Sequence, residues 1–423
     1  MGHPDRSADE GHPDDGDHHC EATLDEGGPK GLTARDVRHL ARVRPTFPGG
    51  PMPRTHWRLV AVTLTLAPVA CSGSGESAPS LDFDAEFSTN SALDDTVAAI
   101  AIQADGKILV GGGFSTPSRS LARFTADGAS DTEFNANIAD VIDTAVYSLA
   151  VQSDGKILVG GYFTAPSSRL ARFNPDGTPD EAFNSSIGDA IDGGVVSIDV
   201  LSNGDIVIGG QFTTPSRSLA RFDSDGEPIE SFNSAVGDAV NLPISSVAVD
   251  ASGGFIVGGS FSTPSTSLAR FDPDGAPDAV FNAKVDGSVS GFVSTVEIDP
   301  ASRIVIGGQF TAPANSVARY AADGTPDDDF NQKFTTAVGE TLDGYVEKLV
   351  IEKSGRITVG GWFTAPYGRI MAVNDNGTID AEASATWSEQ LDAAVLSVMI
   401  DRDGRLLVGG AFTTPGRHLM RLS

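Results

Sequence analysis

A unit of about 49 residues recurs seven times between residues 97 and 423. Each unit contains an apolar run, an Asp-Gly turn, a second run close to Ile-Leu-Val-Gly-Gly-x-Phe, then Leu-Ala-Arg-Phe and Asp-Gly-x-x-Asp-x-x-Phe-Asn. Self-similarity at a fixed period means that the chain stacks or circles copies of one supersecondary unit. The phenylalanine after the glycine pair marks the register of the seven units: Phe114, Phe163, Phe212, Phe261, Phe310, Phe363 and Phe412.

Within one unit the apolar residues alternate with a period of two, which predicts strands. In the first unit, residues 97–102 alternate, Asp105-Gly106 turns the chain, and Phe134-Asn135 is expected to open a fourth strand. Asp-Gly favours such hairpins because glycine accepts a positive φ. Four short antiparallel strands per unit are typical of a propeller blade. We therefore predict an all-β fold, a seven-bladed β-propeller of four-stranded antiparallel blades.

The two ends of the repeat region complement each other. The seventh unit stops at residues 421–423 without its Asp-Gly-x-x-Asp-x-x-Phe-Asn portion, and residues 84–88 resemble that missing portion. We expect an N-terminal strand, with Phe87 near Arg421, to complete the last blade. Closure of this kind removes the open edge that an array of sheets would leave for aggregation.

The first 80 residues differ from the repeats. Residues 1–51 form a doubtful or disordered extension, and residues 52–70 have the basic start, short apolar run and small residues of a signal peptide. Residues 71–80 follow as a flexible tether, and the propeller occupies residues 81–423. The Ala-Cys junction is similar to the lipidation site of bacterial lipoproteins, which would place a lipid on Cys71, with ordinary cleavage near the same residue as the alternative. Either outcome places the propeller outside the cytoplasm, in the cell envelope or secreted.

The composition excludes some partners. The chain carries 57 acidic and 29 basic residues, a net charge of −28. Nucleic-acid binding requires a basic surface, so we expect no nucleic-acid partner, and membrane contact only through a lipid anchor. We expect a monomer.

The residues offer little catalytic chemistry. Six of the seven histidines precede Cys71, and His418 alone cannot support a histidine-based triad. The glycine pairs are not followed by a phosphate-binding sequence, so we interpret them as close contacts between blades. We predict that the protein is not an enzyme and needs no cofactor.

Two further motifs are given structural interpretations. Asp-x-Asp-Gly-x-x-Asp, as at residues 272–278, could bind Ca²⁺, but its first position varies between units, which favours a turn and no metal site. The arginine of Leu-Ala-Arg-Phe is expected between blades, since a buried arginine needs a partner. The candidate partners recur at a fixed offset: Asp131, Asp180, Asp278 and Asp327.

Units such as QSDGKILVGGYFTAPSSRLARFNPDGTPDEAFN resemble the delta-60 repeat, an uncharacterised β-propeller repeat family of bacterial surface and secreted proteins. The resemblance covers about residues 82–423, and the sixth unit departs from it at Ala372 and at residues 383–384. It implies a propeller in an extracytoplasmic setting and provides no catalytic residues.

Two functional hypotheses follow. The first is a surface-anchored or secreted, non-catalytic scaffold that binds a protein or glycan through the face with the longer loops, where Tyr147, Trp362 and Tyr367 are candidate contacts. The alternative is a carboxylate- or metal-dependent hydrolase or lyase in the central channel. Asp199 and Glu297 are its candidate residues, because they occupy innermost-strand positions where other units carry alanine.

Overall fold

The repeats fold into seven antiparallel sheets whose strands pair in chain order. A computed structural model describes residues 83–91, 93–339 and 342–422. The predictions for residues 1–51, 52–70 and 71–80, including Cys71, lie outside these residues.

Each sheet begins with an inner strand and continues outward. The inner strands are β1 (Val97–Ile102), β4 (Val146–Val151), β7 (Gly194–Val200), β10 (Ile244–Val249), β13 (Phe292–Ile298), β16 (Val346–Ile351) and β20 (Val395–Ile400). The middle strands are β2 (Ile108–Gly112), β5 (Ile157–Gly161), β8 (Ile206–Gln211), β11 (Phe255–Gly259), β14 (Ile304–Gln309), β17 (Ile357–Gly361) and β21 (Leu406–Gly410). The third strands are β3 (Leu121–Phe124), β6 (Leu170–Phe173), β9 (Leu219–Phe222), β12 (Leu268–Phe271), β15 (Val317–Tyr320), β18 (Ile370–Val373) and β22 (Leu419–Leu422).

The predicted fourth strand is wrong for six of the seven sheets, because the segment forms a helix. Within the described residues, only the sixth sheet has a fourth strand, the two-residue β19 (Ile379–Asp380), which lies directly before its helix. The helices are α1 (Ala85–Asn90), α2 (Thr132–Asn137), α3 (Glu181–Ile187), α4 (Glu230–Val236), α5 (Ala279–Val285), α6 (Asp328–Val338) and α7 (Ala381–Ser388). We call each sheet with its outer helix a blade.

In the first blade, the Asp-x-x-Phe-Asn motif explains this helix. Asp131 is the N-cap of α2, and its side chain accepts a hydrogen bond from the backbone N–H of Phe134, which satisfies an amide that a helix start leaves free. The side chain of Asn135 accepts from the N–H of Arg123 at 2.8 Å and donates to its carbonyl at 3.0 Å. One amide side chain thus satisfies the strand edge that a fourth strand would otherwise pair.

The first glycine of each pair marks a close contact between neighbouring blades, as predicted, whereas the second lies against the inner strand of its own blade. A Cβ on Gly111 would lie 2.4 Å from the side chain of Val146 in the second blade. A Cβ on Gly409 of the seventh blade would lie 2.5 Å from the side chain of Val97 in the first. The inner strands also contact each other in sequence, and β20 contacts β1, so the blades form a ring.

The amino-terminal segment joins the last blade, though as a bridge and a helix and not as the predicted strand. Phe83 forms an isolated antiparallel bridge with Leu422, and Arg421 Nε donates to Asp84 Oδ2 at 3.0 Å. Phe87 is fully buried, and the guanidinium of Arg421 lies 4.5 Å from the centre of its ring. Residues 83–91 therefore supply the outer part of the seventh blade.

The recurring arginine pairs between blades, as predicted. Arg123 Nε lies 2.9 Å from Asp131 Oδ2, and its Nη1 donates to the carbonyl of Pro175 in the next blade at 2.5 Å. Arg421 repeats this contact across the closure of the ring by donating to the carbonyl of Ala126 at 2.6 Å. Three of the predicted acidic partners lie 2.8–2.9 Å from their arginine: Asp131, Asp180 and Asp327. Asp278 lies 3.7 Å from Arg270, which pairs more closely with Asp250 at 2.9 Å.

Candidate functional site

The ring has two different faces. The Asp-Gly turns, such as Asp105-Gly106, join paired strand ends on one side, which we call the turn face. Residues 113–120 and 138–145, with their counterparts in other blades, lie at the opposite strand ends and form the longer-loop face. In the described residues, no helix is both long and apolar enough to cross a bilayer.

The longer loops are fixed by one repeated contact. Asp94, which precedes β1, accepts hydrogen bonds from the backbone N–H groups of Ser115 and Thr116 at 2.8 and 3.1 Å. Together with the Ser115 hydroxyl, these donors hold the pKa of Asp94 well below its ordinary value. Asn241 makes the equivalent contact with Ser262 at 2.9 Å. Loops held in this way present their neighbouring side chains on a rigid support.

The central channel opens on the longer-loop face at a cavity of about 380 Å³, which we call the mouth. One residue from the same position of every inner strand lines it: Ala98, Tyr147, Val196, Ser245, Ser294, Glu347 and Leu396. Phe292, Tyr345 and Trp362 complete the lining. The mouth is therefore rich in aromatic side chains and contains a carboxylate.

Four aromatic side chains form two pairs at the mouth, and three of the four are exposed. Tyr147 and Tyr162 are 44 % and 39 % exposed and pack edge to face, with ring centres 5.6 Å apart. Tyr345 and Trp362 are stacked with ring centres 6.3 Å apart, and Trp362 is 46 % exposed. Burial, with a contribution from Glu347, raises the pKa of Tyr345 to about 12, so its hydroxyl stays protonated.

Glu347 is half-buried between these aromatic groups. Burial raises the pKa of its carboxyl group, while a hydrogen bond from Trp362 and the charge of Lys348 act in the opposite direction. Glu347 and Trp362 both line the mouth, so the carboxyl group lies next to the indole.

Asp199 and Glu297 both line the channel beneath the mouth, in a cavity of about 320 Å³. Lys348 Nζ lies 3.3 Å from Glu297 Oε1. Asp199 accepts from the backbone N–H groups of Val200 and Val249 at 2.8 and 3.2 Å, and burial raises its pKa. The two predicted carboxylates therefore share one cavity, and each already has protein partners.

The other candidate residues lie elsewhere. Tyr367 is half-buried and packs against a hydrophobic cluster between blades, away from the mouth lining. His418 has a φ of 66° just before β22, and its Nδ1 lies 3.2 Å from the carbonyl of Gly410.

The Asp-x-Asp-Gly segments form turns. Asp274 accepts from the N–H of Ala276 at 3.2 Å, and Asp278 is the N-cap of α5. Within residues 83–91, 93–339 and 342–422, no three His, Cys, Asp or Glu side chains come together as metal ligands would.

Sequence reasoning missed Tyr162, Phe292, Tyr345 and Glu347. Tyr162 and Trp362 occupy the variable position of Gly-Gly-x-Phe, where other units carry glycine, glutamine, serine or alanine. A comparison of that position across the units would have revealed both Tyr162 and Trp362. Glu347 occupies the inner-strand position that Tyr147 occupies in the second blade, so a comparison of that position across the units would have found it as well.

Five segments of the chain match the family described as "Domain of unknown function (DUF5122) beta-propeller": residues 103–134, 152–183, 201–228, 255–281 and 302–330. The chain is also similar to the WD40 β-propeller domain of Doa1, with a TM-score of 0.51 at 13 % identity over 78 % of this chain and 95 % of that one. The chain is a β-propeller repeat protein.

Two further solved structures are similar at 13 % identity over 78 % of this propeller chain. One is YCF48 bound to D1 peptide, with a TM-score of 0.48 and 94 % of that chain covered. The other is the extracellular domain of the putative hybrid two-component system BT3049 from B. thetaiotaomicron, with a TM-score of 0.47. This chain covers 39 % of the length of that extracellular-domain chain. No curated protein sequence matches significantly. Similarity at this level of identity concerns the fold alone.

Proposed function

We propose that this propeller is a non-catalytic binding scaffold that holds a protein or glycan partner on its longer-loop face, around the mouth. The observation that carries the proposal is the position of the exposed apolar side chains. Of the five large apolar side chains that are exposed in the described residues, four lie on this face: Tyr147, Tyr162, Leu242 and Trp362. Exposed aromatic groups clustered on a rigid surface are typical of interaction sites.

The support beneath these side chains favours recognition with little rearrangement. Tyr147 lies within the inner strand β4, and Trp362 directly follows the middle strand β17. Both strands are held between neighbouring blades. A side chain that is already ordered loses less conformational entropy on binding than one on a mobile loop.

The test is capture of partners by the purified protein from an envelope extract of its own organism, compared between wild type and Tyr147→Ala/Trp362→Ala. Val280→Ala is the control, because Val280 is 72 % exposed on the outer helix α5. We expect the double variant to lose a partner that wild type and control both retain, with its melting temperature unchanged. Equal capture by all three proteins would contradict the proposal.

The second candidate function is a hydrolase or lyase in the channel, supported by the shared cavity of Asp199 and Glu297. Its support is weaker, because Glu297 is paired with Lys348 and Asp199 with backbone amides. Metal analysis of the purified protein separates the two functions. A stoichiometric ion that Asp199→Ala loses would favour the enzyme.

The proposed location is outside the cytoplasm, either anchored through a lipid on Cys71 or secreted. It rests on the signal-like segment at residues 52–70. Mass spectrometry of the mature amino terminus distinguishes the two forms, since only the anchored form carries a diacylglyceryl group.

A further inference from the structure

Glu347 and its aromatic neighbours combine two features that attract the same kind of ligand. Its carboxyl group lies beside the indole of Trp362 in the mouth, and the indole ring stacks on Tyr345. Tyr147 contributes another exposed ring to the same mouth. Aromatic faces attract cations through their quadrupoles, and an adjacent carboxylate adds a direct ion pair.

The charged side chains that line the channel and the mouth also favour a cationic ligand, because acidic groups outnumber basic ones. The channel and mouth together are lined by three carboxylates, on Asp199, Glu297 and Glu347, against one ammonium group on Lys348. Lys348 forms its ion pair with Glu297 at 3.3 Å, and its charge also acts on Glu347. The net charge of −28 on the whole chain also attracts basic partners and repels acidic ones.

The dimensions fit a side chain better than a large ligand. The mouth has a volume of about 380 Å³, and one residue of each inner strand contributes to its wall. A lysine or arginine side chain presented by a protein surface can enter such a concave site while its backbone stays on the longer-loop face. A neutral sugar would contact the aromatic faces but would gain nothing from the charge.

We propose that the mouth binds the side chain of a lysine or arginine from a basic protein partner, with Glu347 as the ion-pair acceptor and Tyr147, Tyr345 and Trp362 as the aromatic wall. This inference rests on the proposed function, since it names the partner's chemistry for the same face.

The test is a titration of the purified protein with four blocked pentapeptides, Ac-Gly-Gly-X-Gly-Gly-NH₂, where X is lysine, arginine, norleucine or glutamate. Intrinsic tryptophan fluorescence, to which Trp362 contributes, and calorimetry report binding, and chitohexaose serves as the neutral sugar probe. We expect saturable binding of the lysine and arginine peptides, and binding at least about tenfold weaker for norleucine.

Two variants test whether the carboxylate of Glu347 binds the cationic side chain. Glu347→Gln keeps the shape and should weaken the lysine peptide by about tenfold or more. Glu133→Gln is the matched control, because Glu133 is exposed on α2 and the change removes the same charge. Its affinity should stay within about twofold of wild type, since an exposed distant charge is screened.

Equal responses to the lysine and norleucine peptides, including no response to either, would overturn the inference. So would unchanged affinity in Glu347→Gln, or binding of chitohexaose in preference to the peptides. The capture experiment keeps these outcomes apart from the proposed function. If Tyr147→Ala/Trp362→Ala loses its partner while Glu347→Gln keeps it, the face binds and the cation hypothesis alone fails.

Discussion

Replacement of Arg172 by methionine should destabilise the ring by removing a contact between the second and third blades. Arg172 Nε lies 2.8 Å from Asp180 Oδ2, with the two side chains 7 % and 10 % exposed, and its Nη1 donates to the carbonyl of Ser224 in the next blade. Breaking a buried pair costs about 3–5 kcal/mol. Lys156 Nζ stays 2.9 Å from Asp180 Oδ2 and reduces that penalty, while the lost bond to Ser224 adds about 1 kcal/mol. We expect a net loss of about 3 kcal/mol.

The assay is urea unfolding followed by tryptophan fluorescence, in which about 3 kcal/mol corresponds to a midpoint shift of about 1 M. The matched control is Arg217→Met, because Arg217 Nε lies 3.1 Å from Asp238 Oδ1 while the side chains are 39 % and 89 % exposed. An exposed pair contributes little, so this variant should lose less than about 0.5 kcal/mol. If the two variants unfold at the same urea concentration, the interpretation of the recurring arginine as a buried link between blades is refuted.

Three other perturbations test the packing and the closure of the ring. The hydrogen bonds that lower the pKa of Asp94 stabilise the fold at every pH above the ordinary carboxyl pKa of 3.8, and this contribution is lost as pH falls through the lower pKa of the folded state. Asp94→Asn should therefore reduce the loss of stability in acid. An acid-unfolding curve identical to that of wild type would contradict this. Gly409→Ala should cost about 1–3 kcal/mol by overpacking against the first blade, whereas Gly113→Ala, with open space around its Cα, should be neutral in the same urea assay. Phe83→Cys with Leu422→Cys should form a disulfide under mild oxidation, because these residues face each other in an antiparallel bridge; a non-reducing gel that shows no band beyond those of the single variants would argue against the closure.

The sequence allowed the repeat, the seven sheets and the buried arginine pairs to be predicted, because each depends on a local pattern repeated many times. The strand period and the Asp-Gly turns define the inner three strands of each blade. The fourth element was misassigned because Asp-x-x-Phe-Asn is too short to show helical periodicity. Its helix depends on the Asp131 cap and on the bonds of Asn135 to Arg123, which are contacts across the unit.

The candidate site was predicted only in part. Tyr147, Trp362, Asp199 and Glu297 do lie at the mouth or in the channel, whereas Tyr367 packs between blades. These positions follow from strand order and alternation.

Glu347 occupies the same inner-strand position as Tyr147, but what surrounds it could not be predicted from one strand. At the register irregularity between Val346 and Lys348, Glu347 lines both the mouth and the channel, whereas its sequence neighbour Lys348 lines the channel. An irregularity of this kind depends on how the inner and middle strands pair, which a single strand's sequence does not reveal.

Hydroxyl-radical footprinting of the protein with its captured partner tests most directly whether the longer-loop face is the binding surface. Tyr147, Tyr162 and Trp362 are exposed in the free protein and should become protected from oxidation in the complex, while Val280 on the outer helix α5 should react equally in both. Protection of Val280 or of the turn face, with the three aromatic side chains as reactive as before, would contradict the assignment.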